Sequence, residues 1–137
     1  MAAGAKERIS DTKVHISAII GDVRDRDVIV LDDEIASGGS MIELMAHLRS
    51  NGARSIRIAC THGIFAGGAL ERLCAERDLS EIVCTNTLPI AQQHVGDKLT
   101  VLSLAPALAE AMRRINNGES VSALFHDVPR PDRAAAE

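Results

Sequence analysis

Residues Val28–Ser40 read VIVLDDEIASGGS, an apolar run followed by two adjacent carboxylates and a loop of small residues. The apolar run is rich in β-branched side chains, which favours a strand buried on both faces, as in the parallel sheet of an α/β protein. Asp32 and Asp33 would then lie at the carboxyl end of that strand. Open α/β sheets bind their ligands at this edge, so the stretch predicts a binding site.

The loop of small residues after the carboxylates suits an anion. It has no bulky side chain, so its backbone N–H groups can approach a phosphate closely. Ser40 is expected to cap the following helix, whose N-terminus would stabilise an anion by roughly 0.3–1 kcal/mol. The carboxylates suit the hydroxyls of a sugar, or a magnesium ion that bridges hydroxyl and phosphate oxygens. The predicted ligand is a phosphorylated sugar, and the loop residues are Ala36, Ser37, Gly38, Gly39 and Ser40.

Strand and helix patterns alternate along the rest of the chain, which predicts an α/β fold with a mainly parallel sheet flanked by helices. His62 would lie at the carboxyl end of a strand, where it either touches a ligand or stabilises a turn. Lys6 and Arg8 lie in a charged segment that composition alone assigns to a solvated N-terminal arm. Further strands are predicted at residues 13–20, 55–60, 81–86 and 99–104, and helices beginning at residues 40, 69 and 104.

Composition excludes several classes of protein. The 137 residues are 46% hydrophobic but only 1% aromatic, so aliphatic side chains must build the core. A net charge of -4 with scattered basic residues argues against a nucleic-acid partner. No stretch approaches the roughly 20 apolar residues of a membrane span, and the N-terminus lacks the apolar segment of a signal peptide. The three cysteines have no metal-binding spacing, which predicts reduced core thiols and a cytoplasmic protein.

Other phosphate and nucleophile motifs are missing from the central stretch. ASGGS lacks the spacing of the dinucleotide motif GxGxxG, and no lysine follows the last glycine as a P-loop requires. No GxSxG is present to activate a serine nucleophile. Paired carboxylates also follow a strand in receiver-type and haloacid-type phosphoryl sites, but a Gly-Gly-Ser helix start does not follow them there. A sugar phosphate site is therefore preferred.

The central stretch resembles the phosphoribosyl diphosphate (PRPP) binding loop shared by type I phosphoribosyltransferases and ribose-phosphate diphosphokinases (PRPP synthetases). SAIIGDV, ACTHGIFAGGALERL, TNTLP and RRINNGESVSALF are similar to consecutive segments from the carboxyl-terminal half of PRPP synthetases. This resemblance covers nearly all of residues 6–125. It implies a phosphoribosyltransferase-like domain over residues 1–125, and the poorly hydrophobic residues 126–137 are expected to form a disordered tail.

The resemblance implies an activity in nucleotide biosynthesis. In that family the diphosphoryl group of ATP is transferred, with Mg²⁺, to the anomeric hydroxyl of ribose 5-phosphate, giving PRPP and AMP. Residues 36–40 would hold the 5-phosphate, while Asp32 and Asp33 would bind the ribose diol with or without Mg²⁺. KERIS is similar to the family's KRRIS-like catalytic loop, so Lys6 and Arg8 would be its catalytic cations. Two mobile cations there would stabilise the negative charge that develops during transfer.

Departures from the family leave several hypotheses open. Glu7 stands where a basic residue is usual, and Ala36 where many family loops carry an acidic one. The family's amino-terminal half, which supplies most ATP contacts, is outside the resemblance. The leading hypothesis is an enzyme that works as a homo-oligomer or in association with an amino-terminal half. The alternatives are a catalytically silent binding or regulatory subunit, and a phosphoribosyltransferase.

A second candidate site lies near the end of the resemblance. Ser120, Val121 and Ser122 resemble a stretch that some family members use to bind an allosteric phosphate or nucleotide. A structural role in helix capping and subunit packing is the alternative interpretation. The resemblance therefore predicts at most a possible regulatory site here, separate from the central loop.

Overall fold

A computed structural model of the chain describes residues 3–10, 13–90 and 96–125. Short 3-10 helices cover Ala66–Gly68, Gly96–Lys98 and Val121–Phe125. The strands within the described residues are β1 (Ala3–Ser10), β2 (Lys13–Ile20), β3 (Asp27–Ile35), β4 (Ser55–Gly63), β5 (Leu79–Thr85) and β6 (Leu99–Leu102). The helices are α1 (Gly39–Ser50), α2 (Ala69–Cys74) and α3 (Ala105–Asn116).

Four of these strands form a parallel sheet in the order β3-β4-β5-β6. Val30 of β3 pairs with Ile58 of β4, and Ile58 pairs in turn with Ile82 of β5. Because all four strands run in one direction, their carboxyl ends meet at one edge of the sheet. The predicted α/β fold with a mainly parallel sheet and flanking helices is confirmed.

One face of the sheet builds an aliphatic core together with α1 and α2. Ile56, Ile58 and Ile82 alternate with exposed or half-buried residues along their strands and are fully buried. The apolar positions of α1 recur at helical spacing, as the sequence predicts, and this stripe supplies the buried Met41, Met45 and Leu48. The other members of the buried cluster include Cys60, Leu70, Leu73, Leu79 and Cys84.

The opposite face of β3 is exposed, so the prediction of a strand buried on both faces is wrong. Val28 and Val30 pack against the core, whereas Ile29 is 62% exposed and Leu31 is 79% exposed. The apolar run gave no sign of this, because it lacks the alternation of polar and apolar residues that marks a one-sided strand. β3 is also the first strand of its sheet, so within the described residues it has a strand neighbour on one side only.

The N-terminal residues form a separate antiparallel sheet of β1 and β2. β2 has the predicted bounds, but it pairs with β1 and not with the parallel sheet. The backbone of Lys6 pairs with Ile16, and that of Arg8 with Val14. These residues therefore form a paired strand, and the solvation of their side chains stays a prediction. Strand pairing is made by backbone groups, which a reading of side-chain composition does not detect.

The chain divides into two compact units, Met1–Leu102 and Ser103–Glu137. In the second unit α3 has the predicted apolar stripe, but its residues Leu108, Met112 and Ile115 are 55%, 64% and 68% exposed. The expected tail at residues 126–137 lies outside the described residues. The single domain over residues 1–125 stays a prediction.

The three cysteines are free thiols, as predicted. Cys60 and Cys84 are buried in the core and Cys74 is half-buried. Burial, reinforced by the neighbouring Cys84, raises the pKa of the Cys60 thiol to about 11, so this sulfur stays protonated at neutral pH. Across the described part of the chain, no helix combines the length and the hydrophobicity that a membrane crossing requires.

Candidate functional site

A cavity of about 250 Å³ opens at the carboxyl edge of the parallel sheet, between the end of β3 and the start of α1. Its wall is continuous in sequence from Asp32 to Met41. The structure thus brings together the predicted carboxylates and the predicted loop residues, whose role in binding stays a prediction. The lining residues are Asp32, Asp33, Glu34, Ile35, Ala36, Ser37, Gly38, Gly39, Ser40 and Met41.

The loop is shorter than the sequence suggests. β3 continues to Ile35, so Asp32 and Asp33 lie within the strand and not after it. The helix α1 already begins at Gly39, and its N-cap is Gly38, without a side-chain hydrogen bond. The prediction that Ser40 caps this helix is therefore wrong, because Ser40 lies inside its first turn. Only residues 36–38 connect the strand to the helix.

Gly38 is required by its backbone conformation and by its neighbours. Its φ of 73° lies in the left-handed region, which glycine adopts without a steric penalty. A Cβ atom at this position would lie 3.3 Å from Ala69 Cβ and 3.4 Å from Leu73 Cδ1, both on α2. The close approach of α1 and α2 therefore depends on the missing side chain.

The first turn of α1 presents backbone donors to the cavity. The first helical hydrogen bond runs from the Ile42 N–H to the Gly38 carbonyl, at 3.0 Å. The amides of Gly39, Ser40 and Met41 precede it and have no acceptor within the helix. No acidic side chain lies in this turn, so nothing in it neutralises the positive end of the helix dipole. This end of the cavity favours an anion.

Arg72 of α2 fixes the orientation of the loop, a role that was not predicted from the sequence. Its Nη2 donates to the Ser37 carbonyl at 2.8 Å, and its Nη1 donates to the Gly67 carbonyl. In a trans peptide the C=O and the next N–H point in opposite directions, so the Gly38 N–H is turned away from Arg72. No motif marks such a residue, because its contact depends on how α2 packs beside the loop.

The segment after β4 holds the loop from its other end. The Ile35 carbonyl accepts hydrogen bonds from the N–H groups of Ile64 and Phe65, both at 3.1 Å. The Ala36 carbonyl accepts one from the Ala66 N–H at 2.9 Å. The loop is therefore anchored at both ends before any ligand binds, which lowers the entropic cost of binding.

The carboxylates of β3 are held against the strand. Asp32 Oδ1 accepts a hydrogen bond from the Asp33 N–H at 3.0 Å, and Asp33 Oδ1 accepts one from the Glu34 N–H at 2.9 Å. Glu34 adds a third carboxylate to the cavity wall. Three acidic side chains beside an anion-favouring helix start suit a ligand that offers hydroxyl donors next to a phosphate.

The carboxylates could hold a metal ion together with a bound ligand, but not by themselves. Within the described ranges, no three His, Cys, Asp or Glu side chains converge into a metal-binding cluster. Mg²⁺ is commonly held by one or two carboxylates together with substrate phosphates and water, and Asp32 and Asp33 match that donor set. The residues therefore fit an ion that is shared with the ligand, and not an ion enclosed by protein alone.

His62 lies beside the cavity, near the end of β4. It pairs in register with Glu34 of β3, a residue of the cavity wall. Its Nδ1 lies 2.9 Å from Thr87 Oγ1, in the segment after β5. Nδ1 thus makes a turn-stabilising contact, which is one of the two roles predicted for His62 from the sequence.

The remaining predicted residues belong to other elements of the chain. The backbone of Lys6 and Arg8 belongs to β1, and their catalytic role stays a prediction. In the second unit, Ser120 Oγ lies 2.8 Å from Ser122 Oγ, and the Ser120 carbonyl accepts a hydrogen bond from Arg114 Nη1 at 3.2 Å. These bonds tie the segment to the end of α3, and the possible allosteric role of Ser120, Val121 and Ser122 stays a prediction.

Comparison with known proteins identifies the same family as the sequence resemblance. A model of the family described as "Phosphoribosyl synthetase-associated domain" matches residues 4–126. A Streptomyces coelicolor protein assigned as a ribose-phosphate pyrophosphokinase is 62% identical over 129 residues, covering 94% of this chain and 41% of its own length. The ribose-phosphate pyrophosphokinase of Deinococcus radiodurans is 43% identical over 123 residues, covering 88% of this chain and 38% of its own length.

A solved structure agrees with these relatives. The phosphoribosylpyrophosphate synthetase of Mycobacterium smegmatis is 37% identical to this chain and superposes with a TM-score of 0.67, over 80% of this chain and 35% of its own. The chain thus spans 38–41% of the length of the two curated relatives described above. The resemblance to the PRPP synthetase family is confirmed, and the chain belongs to the phosphoribosyl synthetase-associated domain family.

Proposed function

We propose that this chain is the ribose 5-phosphate-binding part of a ribose-phosphate pyrophosphokinase. The reaction would transfer the diphosphoryl group of ATP to the anomeric hydroxyl of ribose 5-phosphate, giving PRPP and AMP for nucleotide biosynthesis. One observation carries the proposal: the cavity places the carboxylates of β3 directly beside the amides that open α1. A sugar phosphate can use both surfaces at once, since its hydroxyls suit the carboxylates and its phosphate suits the amides.

The phosphate would bind to the loop and to the first turn of α1. The backbone amides of residues 39–41 supply donors, and hydrogen bonds to a charged group contribute about 1.5–3 kcal/mol each. The helix dipole adds roughly 0.3–1 kcal/mol. Arg72 contributes indirectly, because its bond to the Ser37 carbonyl keeps that acceptor away from the anion. Ser37 and Ser40 can add hydroxyl donors.

The ribose diol would bind to the carboxylates of Asp32 and Asp33. Hydroxyl groups donate to carboxylates in short, charge-assisted hydrogen bonds, which neutral acceptors make less strongly. Both side chains are already held by backbone amides, so little rotational freedom is lost on binding. Asp32 and Asp33 would also be the residues that hold Mg²⁺, which would supply positive charge to the phosphoryl oxygens of the substrate.

Lys6 and Arg8 are the proposed catalytic cations. The transferred phosphoryl group carries negative charge on its oxygens, and cations placed there lower the barrier electrostatically. The contacts to ATP are proposed to come from an amino-terminal half, either in a longer chain or in a separate subunit. The limited share of each relative that this chain covers supports that division of the site.

A catalytically silent binding or regulatory subunit is the second candidate. The cavity itself is compatible with such a role, because binding a sugar phosphate there does not require transfer of the diphosphoryl group. Residues 120–122 would then be a candidate regulatory site in that subunit. Both candidates are proposed for the cytoplasm, where ribose 5-phosphate and ATP are available.

Two measurements test the proposal. Titration calorimetry with ribose 5-phosphate and Mg²⁺ should give saturable binding by this chain alone. AMP should form from ATP and ribose 5-phosphate when an amino-terminal half is added. Binding without AMP formation would support the silent subunit, and no binding of ribose 5-phosphate would refute both candidates.

A further inference from the structure

A hydrogen-bonded cluster lies at the carboxyl ends of β4 and β5, beside the cavity. Thr85 Oγ1 donates to the Thr61 carbonyl at 2.6 Å, and Thr87 Oγ1 donates to the same carbonyl at 3.1 Å. Thr85 Oγ1 and Thr87 Oγ1 are 3.2 Å apart, and His62 Nδ1 lies 2.9 Å from Thr87 Oγ1.

The protons of the cluster determine the tautomer of His62. A carbonyl oxygen only accepts, so the short contact to Thr61 uses the single hydroxyl proton of Thr85. The hydroxyl proton of Thr87 is used in the same way by its own contact to that carbonyl. The oxygen of Thr87 can then only accept from the imidazole, so His62 Nδ1 carries the proton. The opposite tautomer would leave two oxygen lone pairs facing each other at 3.1 Å.

In the neutral form of the ring, this tautomer leaves Nε2 of His62 as a hydrogen-bond acceptor. Within the described residues Nε2 has no hydrogen-bond partner, and the side chain is exposed at the edge of the sheet. His62 is the register partner of Glu34, and neighbouring strands lie roughly 4.8 Å apart. His62, with its Nε2 atom, therefore lies one strand away from the cavity wall.

We propose that His62 contacts the ligand in this cavity and accepts a hydrogen bond from a sugar hydroxyl through Nε2, with Thr87 as its positioning residue. The inference rests on the proposed binding of ribose 5-phosphate. A neutral imidazole nitrogen with an exposed lone pair repels the ionised oxygens of a phosphate group, which also only accept hydrogen bonds. A hydroxyl has the proton that Nε2 needs, so His62 selects the sugar and the helix start selects the phosphate.

The experiment compares two ligands by titration calorimetry on the full chain, ribose 5-phosphate and inorganic phosphate. Losing one neutral hydrogen bond should weaken ribose 5-phosphate binding roughly 2- to 12-fold in His62→Ala. Binding of inorganic phosphate should not change in that variant. Thr87→Val removes only the hydroxyl and should give the same pattern with a smaller loss. Thr100→Val is the matched control, because its hydroxyl bonds Glu81, outside this cluster.

Nitrogen-15 NMR of the histidine rings gives a readout that is independent of binding. The neutral form of His62 should carry its proton on Nδ1, and Thr87→Val should raise the share of the opposite tautomer. Unchanged ribose 5-phosphate affinity in His62→Ala would overturn the inference, and so would an equal loss for both ligands. Failure of the unaltered chain to bind ribose 5-phosphate would instead refute the proposed function itself, and this inference with it.

Discussion

A methyl group added at Gly38 should conflict both with the left-handed backbone conformation of this residue and with its close contact to α2. In Gly38→Ala, an L-residue must adopt a φ of 73°, which costs roughly 1–2 kcal/mol. The new Cβ would also press on Ala69 Cβ at 3.3 Å, and α2 would have to move away by a few tenths of an ångström. The lower entropy of the unfolded chain returns about 0.4–1 kcal/mol. The net expectation is a loss of about 1 kcal/mol of stability or more.

Gly39 is the matched control, one residue later. It lies inside α1, and a Cβ there would meet only Ser37 Oγ, at 3.8 Å. Gly39 is the first residue of the helix, where alanine gains less than the roughly 1 kcal/mol by which it is favoured over glycine in a helix interior, so Gly39→Ala should not destabilise the protein. Chemical denaturation of both variants measures the difference, which we expect to be about 1 kcal/mol or more.

Equal free energies of unfolding for Gly38→Ala and Gly39→Ala would refute this reasoning. That result would mean that the left-handed conformation of Gly38 contributes nothing to the contact between α1 and α2. A second comparison sharpens the test. Gly38→Ala should also weaken the binding of inorganic phosphate, because α2 carries the arginine that orients the loop.

Three further predictions concern the core, the loop and α3. Ile58→Ala should lose about 2–5 kcal/mol in chemical denaturation because Ile58 is fully buried, whereas Leu31→Ala, at a position 79% exposed, should stay within about 0.5 kcal/mol. Arg72→Gln should weaken phosphate binding in calorimetry, and an affinity equal to that of the unaltered chain would contradict its orienting role. Hydrogen bonds from Arg113, and then from Arg114, lower the pKa of Glu110 from 4.5 to about 2. The stabilisation of α3 by Glu110 is therefore complete above pH 4.5 and lost as the pH falls towards 2. Circular dichroism should show this as a loss of helical signal between these pH values. In Glu110→Gln the loss should be smaller, because the variant has no carboxylate to protonate.

Local patterns were enough to predict most of the parallel sheet. The apolar run at residues 28–31 and the alternation at residues 55–60 are properties of the chain itself, and both segments are strands. The stripe of Met41, Met45 and Leu48 likewise predicted the buried face of α1. These features need no knowledge of distant residues, because the periods of helices and strands are local.

Features that depend on distant partners were missed. Asp32 and Asp33 looked like the end of a strand because charged residues usually leave a sheet, yet β3 continues past them to Ile35. Pairing with β4 extends the strand, since Glu34 and Ile35 have partners there. Arg72 reaches the Ser37 carbonyl only because α2 packs beside the loop, a contact across 35 positions in sequence. No spacing rule in the sequence encodes such a contact.

The sequence was enough to predict which residues line the cavity, but not how their side chains and backbone are arranged in it. The carboxylates and small residues are consecutive in sequence, so the chain itself keeps them close together. Their hydrogen bonds to neighbouring amides depend on backbone geometry that the sequence does not specify. The role of His62 is a further example, because its tautomer depends on Thr87, which lies 25 positions away.

The central claim is that one cavity binds a sugar through its carboxylates and a phosphate through its helix start. The most direct test is calorimetry with ribose 5-phosphate on the unaltered chain and on an Asp32→Asn, Asp33→Asn double variant. Asparagine retains a side-chain acceptor for the neighbouring amide, so the fold should be preserved. We predict saturable binding that weakens at least about tenfold in the double variant, while inorganic phosphate binds no more weakly than before. Equal affinity of both proteins for ribose 5-phosphate would contradict the claim.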